Sequence, residues 1–118
     1  MKYSNSFTYD LSIGEETETW ISDLFNGKIK AEVKTDFIAH KTGNIYIEVI
    51  SRNKPSGIST TTADFWIYKI NGLDISVIIP TLKLKDIVRK YYKLNGYKKG
   101  GDNDTSSGVL IPIKSLFE

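Results

Sequence analysis

The sequence predicts an α/β domain in which helices flank a central mixed sheet. Three observations support this prediction: segments with apolar residues at helical spacing, short β-branched runs between them, and turns that contain glycine or proline. In chain order, the predicted elements are α-β-β-α-β-α-β. The 118 residues leave room for one domain, predicted over 1–118.

Two long helices are predicted, over residues 11–26 and 82–94. The first has an apolar face of Ile13, Thr17, Trp20, Ile21, Leu24 and Phe25, and the second has a stripe of Leu84, Ile87, Val88 and Tyr91. A short helix is also predicted over 63–68, because residues 59–62 offer several N-cap candidates.

Four strands are predicted from their β-branched and apolar content: 28–38, 44–51, 74–79 and 109–113. Pro55 and Gly57 indicate a loop over 54–58. The polar, glycine-containing stretch 98–108 is predicted to be a mobile loop.

Two acids on consecutive predicted strands, Asp36 and Glu48, are the most informative residues. A carboxylate in an otherwise apolar strand is costly to bury, so it usually has a partner or a metal ion. The turn at 41–44 predicts a hairpin that places the two acids side by side. Adjacent carboxylates repel, and a divalent cation holds both ionised. The alternative is a structural ion network with Lys34 and Lys54.

Composition restricts the chemistry of such a site. The sequence has no Cys and a single His, His40, which excludes disulfides, thiolate catalysis and multi-histidine metal sites. Carboxylate oxygens favour Mg²⁺ or Mn²⁺ over zinc. The net charge is only +2, but seven basic residues lie between 83 and 99. They form either a basic face that attracts a polyanion or an ordinary solvated helix face.

Nothing in the sequence predicts export or membrane insertion. The N-terminus, Met1–Asn5, lacks the apolar core of a signal peptide, and no apolar run approaches a membrane span. We therefore expect an intracellular protein, in the host cytoplasm if the chain is viral.

The acid pair resembles the signature of the PD-(D/E)XK nuclease superfamily, which places an Asp at the end of one strand and a Glu in the next. Thr35-Asp36 matches the first motif and Glu48-Val49-Ile50 the second. Gly14 and Glu18 in the first helix resemble the G-x-x-x-E element of archaeal Holliday-junction resolvases of that superfamily. This resemblance implies a restriction-endonuclease-like core of order αββαβαβ.

A narrower resemblance, to small phage-encoded proteins of this superfamily, covers nearly the whole chain. It rests on the segments Thr42-Gly43-Asn44-Ile45-Tyr46-Ile47-Glu48, Lys54-Pro55-Ser56-Gly57-Ile58, Ala63-Asp64-Phe65-Trp66, Ile79-Pro80-Thr81, Gly100-Gly101-Asp102 and Leu110-Ile111-Pro112.

By this resemblance, the metal ligands are Asp36, Glu48 and the backbone carbonyl of Val49, with Glu18 as a helix acid near the metal. Position 50 is Ile, where the general motif has Lys. Lys54 leads as the replacement catalytic cation, and Lys34 is the second candidate. The third alternative is a degenerate site that only binds nucleic acid.

The substrate-binding residues are expected around these groups. Arg52 suits a bidentate grip on a phosphate, and Lys34 points to the same side as Asp36. Ser56, Ser59 and Thr60 are candidates for binding neighbouring phosphates.

The resulting hypothesis is a Mg²⁺- or Mn²⁺-dependent nuclease that hydrolyses DNA, including branched or junction DNA. A junction substrate would favour a homodimer, because two cuts need two sites. The alternative is a catalytically degenerate module on the same fold that binds nucleic acid or protein. A structural virion or regulatory protein is the third hypothesis.

Overall fold

The computed structural model describes the backbone of residues 3–118 and the side chains of residues 12–101 and 103–118. Met1 and Lys2, part of the N-terminal segment considered above, lie outside this description. The chain divides into two units, Met1–Lys30 and Ala31–Glu118, so the single domain over 1–118 stays a prediction. The first unit contains helix α1, Tyr3–Phe25, which begins earlier than predicted.

The second unit contains a three-stranded mixed sheet, here called sheet A, in the order β1-β4-β5. Its strands are β1 (Ala31–Asp36), β4 (Phe65–Ile70) and β5 (Ile75–Pro80). Strand β1 runs parallel to β4, and β4 runs antiparallel to β5. The register pairs Lys34 with Tyr68, so charged residues of β1 share a face with aromatic residues of β4.

A four-stranded antiparallel sheet, sheet B, has the order β3-β2-β7-β6. Its strands are β2 (Asn44–Ser51), β3 (Lys54–Pro55), β6 (Lys98–Gly100) and β7 (Ser106–Pro112). Arg52 and Asn53 join β2 to β3 with φ values of 50° and 66°. Two consecutive positive φ angles are typical of a type I′ hairpin turn.

The predicted hairpin between the first two strands is wrong. Helix α2, Ala39–Thr42, separates β1 from β2, and the two strands belong to different sheets. Strand β1 is also shorter than the predicted 28–38. The acid pair must therefore be assembled across two sheets.

The predicted helix over 63–68 is strand β4. Trp66, Tyr68 and Ile70 are buried while Phe65, Ile67 and Lys69 are only partly covered, which is the two-residue period of a strand. The N-cap candidates at 59–62 favoured a helix locally, but pairing with β1 and β5 decides the conformation.

The stretch 98–108 contains strand β6 and the first residues of β7, so the prediction of a mobile loop is wrong. Gly100 and Gly108 in this stretch allow the backbone to pack closely against Tyr46 and do not indicate a flexible chain. A Cβ at Gly100 would lie 2.7 Å from the Tyr46 ring, and one at Gly108 would lie 2.6 Å from it.

Helix α3, Thr81–Asn95, confirms the helix predicted over 82–94. Its buried residues Leu84 and Val88 join the core that is formed by β2, β4 and β7. The chain thus has a mixed sheet and helices, as an α/β fold requires. Among the described residues, no helix has the length and apolar character needed to cross a membrane.

Candidate metal and phosphate site

Asp36 ends β1, and its carboxylate organises the beginning of the next two elements. Its Oδ1 atom accepts the backbone N–H groups of Ile38, at 3.0 Å, and Ala39, at 2.7 Å. Its Oδ2 atom accepts a longer hydrogen bond, 3.4 Å, from the N–H of Tyr46 in β2. The carboxylate therefore caps α2 and connects sheet A to sheet B.

Glu48 lies at a β-bulge in β2. Glu48 pairs with Gly108 and Ile50 pairs with Ser107, so Val49 is left without a partner on β7. Bulges bend a strand and re-aim its side chains, and they are common beside functional sites. The half-buried Glu48 side chain thus projects from an irregular point of the strand.

The segment Ser56–Ser59 packs against this bulge. Ser56 Oγ donates a hydrogen bond to Glu48 Oε2 at 3.0 Å. Gly57 has a φ of 54°, and a Cβ there would overlap the carbonyl oxygen of Glu48. Only glycine fits this close approach without displacing the segment.

A cavity of about 270 Å³ brings the two acids together. Asp36 enters from sheet A and Glu48 from sheet B, with Lys34 beside them. The hydrogen bond from the Tyr46 N–H to Asp36 places Asp36 near Glu48. Tyr46 and Glu48 are two residues apart on β2, which is about 7 Å along a strand. The cavity is lined by Lys34, Thr35, Asp36, Tyr46, Glu48, Gly57, Trp66, Tyr68, Gly101 and Ser106.

Neither acid has a basic partner. Among the described residues, Asp36 and Glu48 form no salt bridge, and Lys34 pairs instead with Glu32 at 3.7 Å. The alternative of an ion network with Lys34 and Lys54 is therefore not formed in the described part of the chain. Two carboxylates thus share one cavity, and no opposing charge of the described residues lies within ion-pair distance of either.

Aromatic residues of β4 form one wall of the cavity. Trp66 and Tyr68 stack with ring centroids 6.0 Å apart, and both are buried. Burial raises the pKa of Tyr68 above its ordinary value, and the charges of Asp36, Glu32 and Glu48 raise it further. The Tyr68 hydroxyl thus stays protonated at neutral pH.

Trp66 contributes a second feature to this wall. Its indole Nε1 is buried and has no hydrogen-bond partner among the described residues. A buried donor without a partner is uncommon and calls for an explanation such as a bound water. Lys34 Nζ lies 5.9 Å from the Trp66 ring centroid, a cation–π contact that holds the lysine beside the cavity.

Of the predicted catalytic cations, Lys34 lines the cavity and Lys54 does not. Lys54 is an exposed residue of the short edge strand β3. Arg52, in the β2–β3 turn, and Thr60 are also exposed and lie outside the cavity lining. Lys34 is therefore the better-placed candidate, although Lys54 was preferred from the sequence.

Three other groups predicted to bind metal or phosphate already form hydrogen bonds within the protein. The Val49 carbonyl, expected to bind metal, accepts the Ser56 N–H at 3.0 Å and the Ser59 hydroxyl at 2.9 Å. These bonds use both of its lone pairs. The hydroxyl protons of Ser56 and Ser59 are likewise donated within the protein, to Glu48 and Val49. The Val49 carbonyl is therefore not free to bind a metal ion, and the two hydroxyl protons are not free to bind a phosphate.

Glu18 lies in α1, within the unit Met1–Lys30. In that unit it borders a surface depression together with Glu15, Thr19, Ser22 and Asp23. Its expected role near the metal stays a prediction.

The oxygen atoms of the cavity fit a loosely held Mg²⁺ better than a fully coordinated ion. Among the described residues, no group of three or more His, Asp or Glu side chains gathers as a metal site. Mg²⁺ nevertheless often binds through one or two carboxylates and completes its shell with waters and substrate phosphates. Asp36 Oδ2 accepts only the long Tyr46 contact, and Glu48 Oε1 accepts no hydrogen bond from the described residues.

Sequence reasoning missed the aromatic wall and the glycines that shape the cavity. The alternation in Phe65–Ile70 was a usable signal, because reading it as a strand beside β1 places Tyr68 next to Lys34. The contacts of Gly57 with Glu48 and of Gly101 with Ser106 were not predicted, because they depend on how the chain folds back on itself.

No protein-family profile, curated protein or solved structure matches this chain.

Proposed function

We propose that this chain is a Mg²⁺- or Mn²⁺-dependent nuclease of the PD-(D/E)XK type that hydrolyses DNA phosphodiester bonds, branched or junction DNA included. One observation carries the proposal: two carboxylates, Asp36 and Glu48, converge in one cavity without a basic partner among the described residues. Such a pair attracts a divalent cation.

In this proposal, the carboxylates of Asp36 and Glu48 would hold the cation. When bound, the ion supplies a water of lowered pKa and neutralises charge on the phosphate. Ser56 orients Glu48 through its hydrogen bond to Oε2. Lys34 attracts the phosphate, taking the place of the lysine that the general motif has at position 50. The raised pKa of Tyr68 keeps its hydroxyl protonated in this cavity.

The proposed function is tested by measuring DNA cleavage by the Glu48→Gln variant. The substitution keeps the shape and the acceptor for Ser56 but removes the charge, so we expect Mn²⁺-dependent cleavage of plasmid and four-way-junction DNA to be lost. The matched control is Asp74→Asn, because the Asp74 side chain is fully exposed and pairs only with Lys69 on the surface. The control should cleave like the wild type.

A second measurement uses the metal alone. A ligand that binds only the folded state at 100 times its Kd raises the unfolding free energy by about 2.7 kcal/mol. We expect Mn²⁺ to raise the melting temperature of the wild type and of Asp74→Asn, but not that of Glu48→Gln. Equal shifts in all three proteins would contradict a cation at this cavity.

The second candidate function is a catalytically degenerate module that binds nucleic acid. This function is favoured because two groups expected to bind metal already form hydrogen bonds within the protein. Asp36 Oδ1 accepts two backbone N–H groups, and the Val49 carbonyl accepts two donors. Retention of DNA in a gel shift, with no cleavage in Mg²⁺ or Mn²⁺ by the wild type, would identify this function.

A further inference from the structure

A second cavity, of about 240 Å³, lies between the bulge of β2 and helix α3. Its floor is apolar and its polar lining is basic. Lys85 and Arg89 reach it from α3, and no acidic residue among the described side chains lines it. The complete lining is Val49, Ile58, Ser59, Lys85, Val88 and Arg89.

The two basic residues are placed to act on one ligand. Lys85 and Arg89 are four residues apart in α3, so they lie on the same face of the helix. Lys85 forms no salt bridge among the described residues. Arg89 pairs with Asp86 at 2.7 Å, but both side chains are mostly exposed, so that pair is weak. A pocket of this charge suits an anion such as a phosphate.

This cavity adjoins the candidate metal site. Gly57 lines the metal cavity, while the next residues, Ile58 and Ser59, line the basic one. On β2, Glu48 and Val49 are divided between the two cavities in the same way. The bulge of β2 and the segment Ser56–Ser59 thus form a common boundary of the two cavities.

We propose that Lys85 and Arg89 bind a backbone phosphate of the DNA strand next to the phosphate held at Asp36 and Glu48, an inference that rests on the proposed function. Arg89 offers a bidentate grip and Lys85 a point charge. The Ser59 hydroxyl adds no donor, because its proton is given to the Val49 carbonyl. Backbone contacts of this kind position a strand without reading its sequence.

The test is DNA binding without cleavage. A fluorescein-labelled duplex oligonucleotide is titrated with full-length protein in EDTA at several salt concentrations, with fluorescence anisotropy as the readout. The variant is Lys85→Gln/Arg89→Gln. The control, Lys41→Gln/Lys114→Gln, removes the same charge beyond the other end of β2, where Asn44 pairs with Pro112.

We expect the Lys85/Arg89 variant to bind more weakly on every sequence. The slope of log K against log salt should fall by about 0.9, the value for one lost phosphate contact on duplex DNA. The control variant should keep the wild-type slope. Equal slopes in the two variants, or a wild type with no affinity for DNA, would overturn the inference. If the slopes of the wild type and the Lys85/Arg89 variant differ as expected but the wild type never cleaves DNA in Mn²⁺, the proposed nuclease activity is refuted. The phosphate site at Lys85 and Arg89 is then still supported.

Discussion

Asp36→Ala should destabilise the protein whether or not a metal ion ever binds. Asp36 is only 9% exposed, and its Oδ1 atom accepts the N–H groups of Ile38 and Ala39 at 3.0 and 2.7 Å. Ala39 is fully buried, so its N–H cannot turn to water when the acceptor is removed. The substitution therefore leaves a buried donor unsatisfied at the beginning of α2.

The expected loss follows from these bonds. A hydrogen bond to a charged group contributes about 1.5–3 kcal/mol. Counting the two short bonds near the low end, and giving no weight to the 3.4 Å contact from Tyr46, the unfolding free energy should fall by about 3–4 kcal/mol. Asp36→Asn keeps an acceptor oxygen but loses the charge, so its cost should be about 1–2 kcal/mol.

Urea denaturation followed by circular dichroism measures both values, with Asp74→Ala as the control. The Asp74 side chain is fully exposed, so loss of its pair with Lys69 should cost at most about 1 kcal/mol. If Asp36→Ala and Asp74→Ala lose the same stability, the capping role of Asp36 is refuted. Because Asp36 is structural, loss of cleavage in Asp36→Ala alone would not demonstrate metal binding.

Three further predictions concern the cavity. First, the raised pKa of Tyr68 means that its stabilising contribution is complete below the unfolded-state pKa of about 10 and is lost as the pH rises above it, by up to about 1.4 kcal/mol per pH unit. Tyr68→Phe should flatten this alkaline loss in urea denaturation at stepped pH, and an unchanged slope would contradict it. Second, Gly57→Ala should destabilise more than Gly43→Ala, because both have positive φ but only Gly57 lies against other atoms. The Gly43 variant should cost about 1–2 kcal/mol in urea denaturation, and equal costs would disprove the close approach. Third, Lys34→Ala should lower the rate of Mn²⁺-dependent cleavage about 100-fold, the effect of losing one electrostatic contact to the transition state. Lys54→Ala should leave the rate near that of the wild type, and the reverse result would restore Lys54 as the catalytic cation.

Local sequence signals predicted α3 and the strands β2 and β5 close to their observed limits. Helix α3 and strand β2 succeed because their hydrophobic period agrees with the surface that each one buries. Strand β5 was identified from its β-branched content, because only Ile79 of its six residues is buried. Strand β4 failed because its N-cap candidates suggested a helix, whereas pairing with β1 on one side and β5 on the other decides its conformation. The pairing with β1, which is distant in sequence, is invisible to a local pattern.

The sequence determined which residues carry charge into apolar strands, and hence that Asp36 and Glu48 are the acids of interest. It did not determine how they meet. A hairpin was the simplest route, yet the chain inserts α2 and joins the acids across two sheets through the contact between Asp36 and the Tyr46 N–H. Only the tertiary structure places Lys34, and not Lys54, in the lining of the cavity. It also places the Ser56 N–H and the Ser59 hydroxyl where they bind the Val49 carbonyl. Side-chain chemistry is fixed by covalent structure, whereas the neighbours of a side chain depend on how every strand of the fold finds its partner.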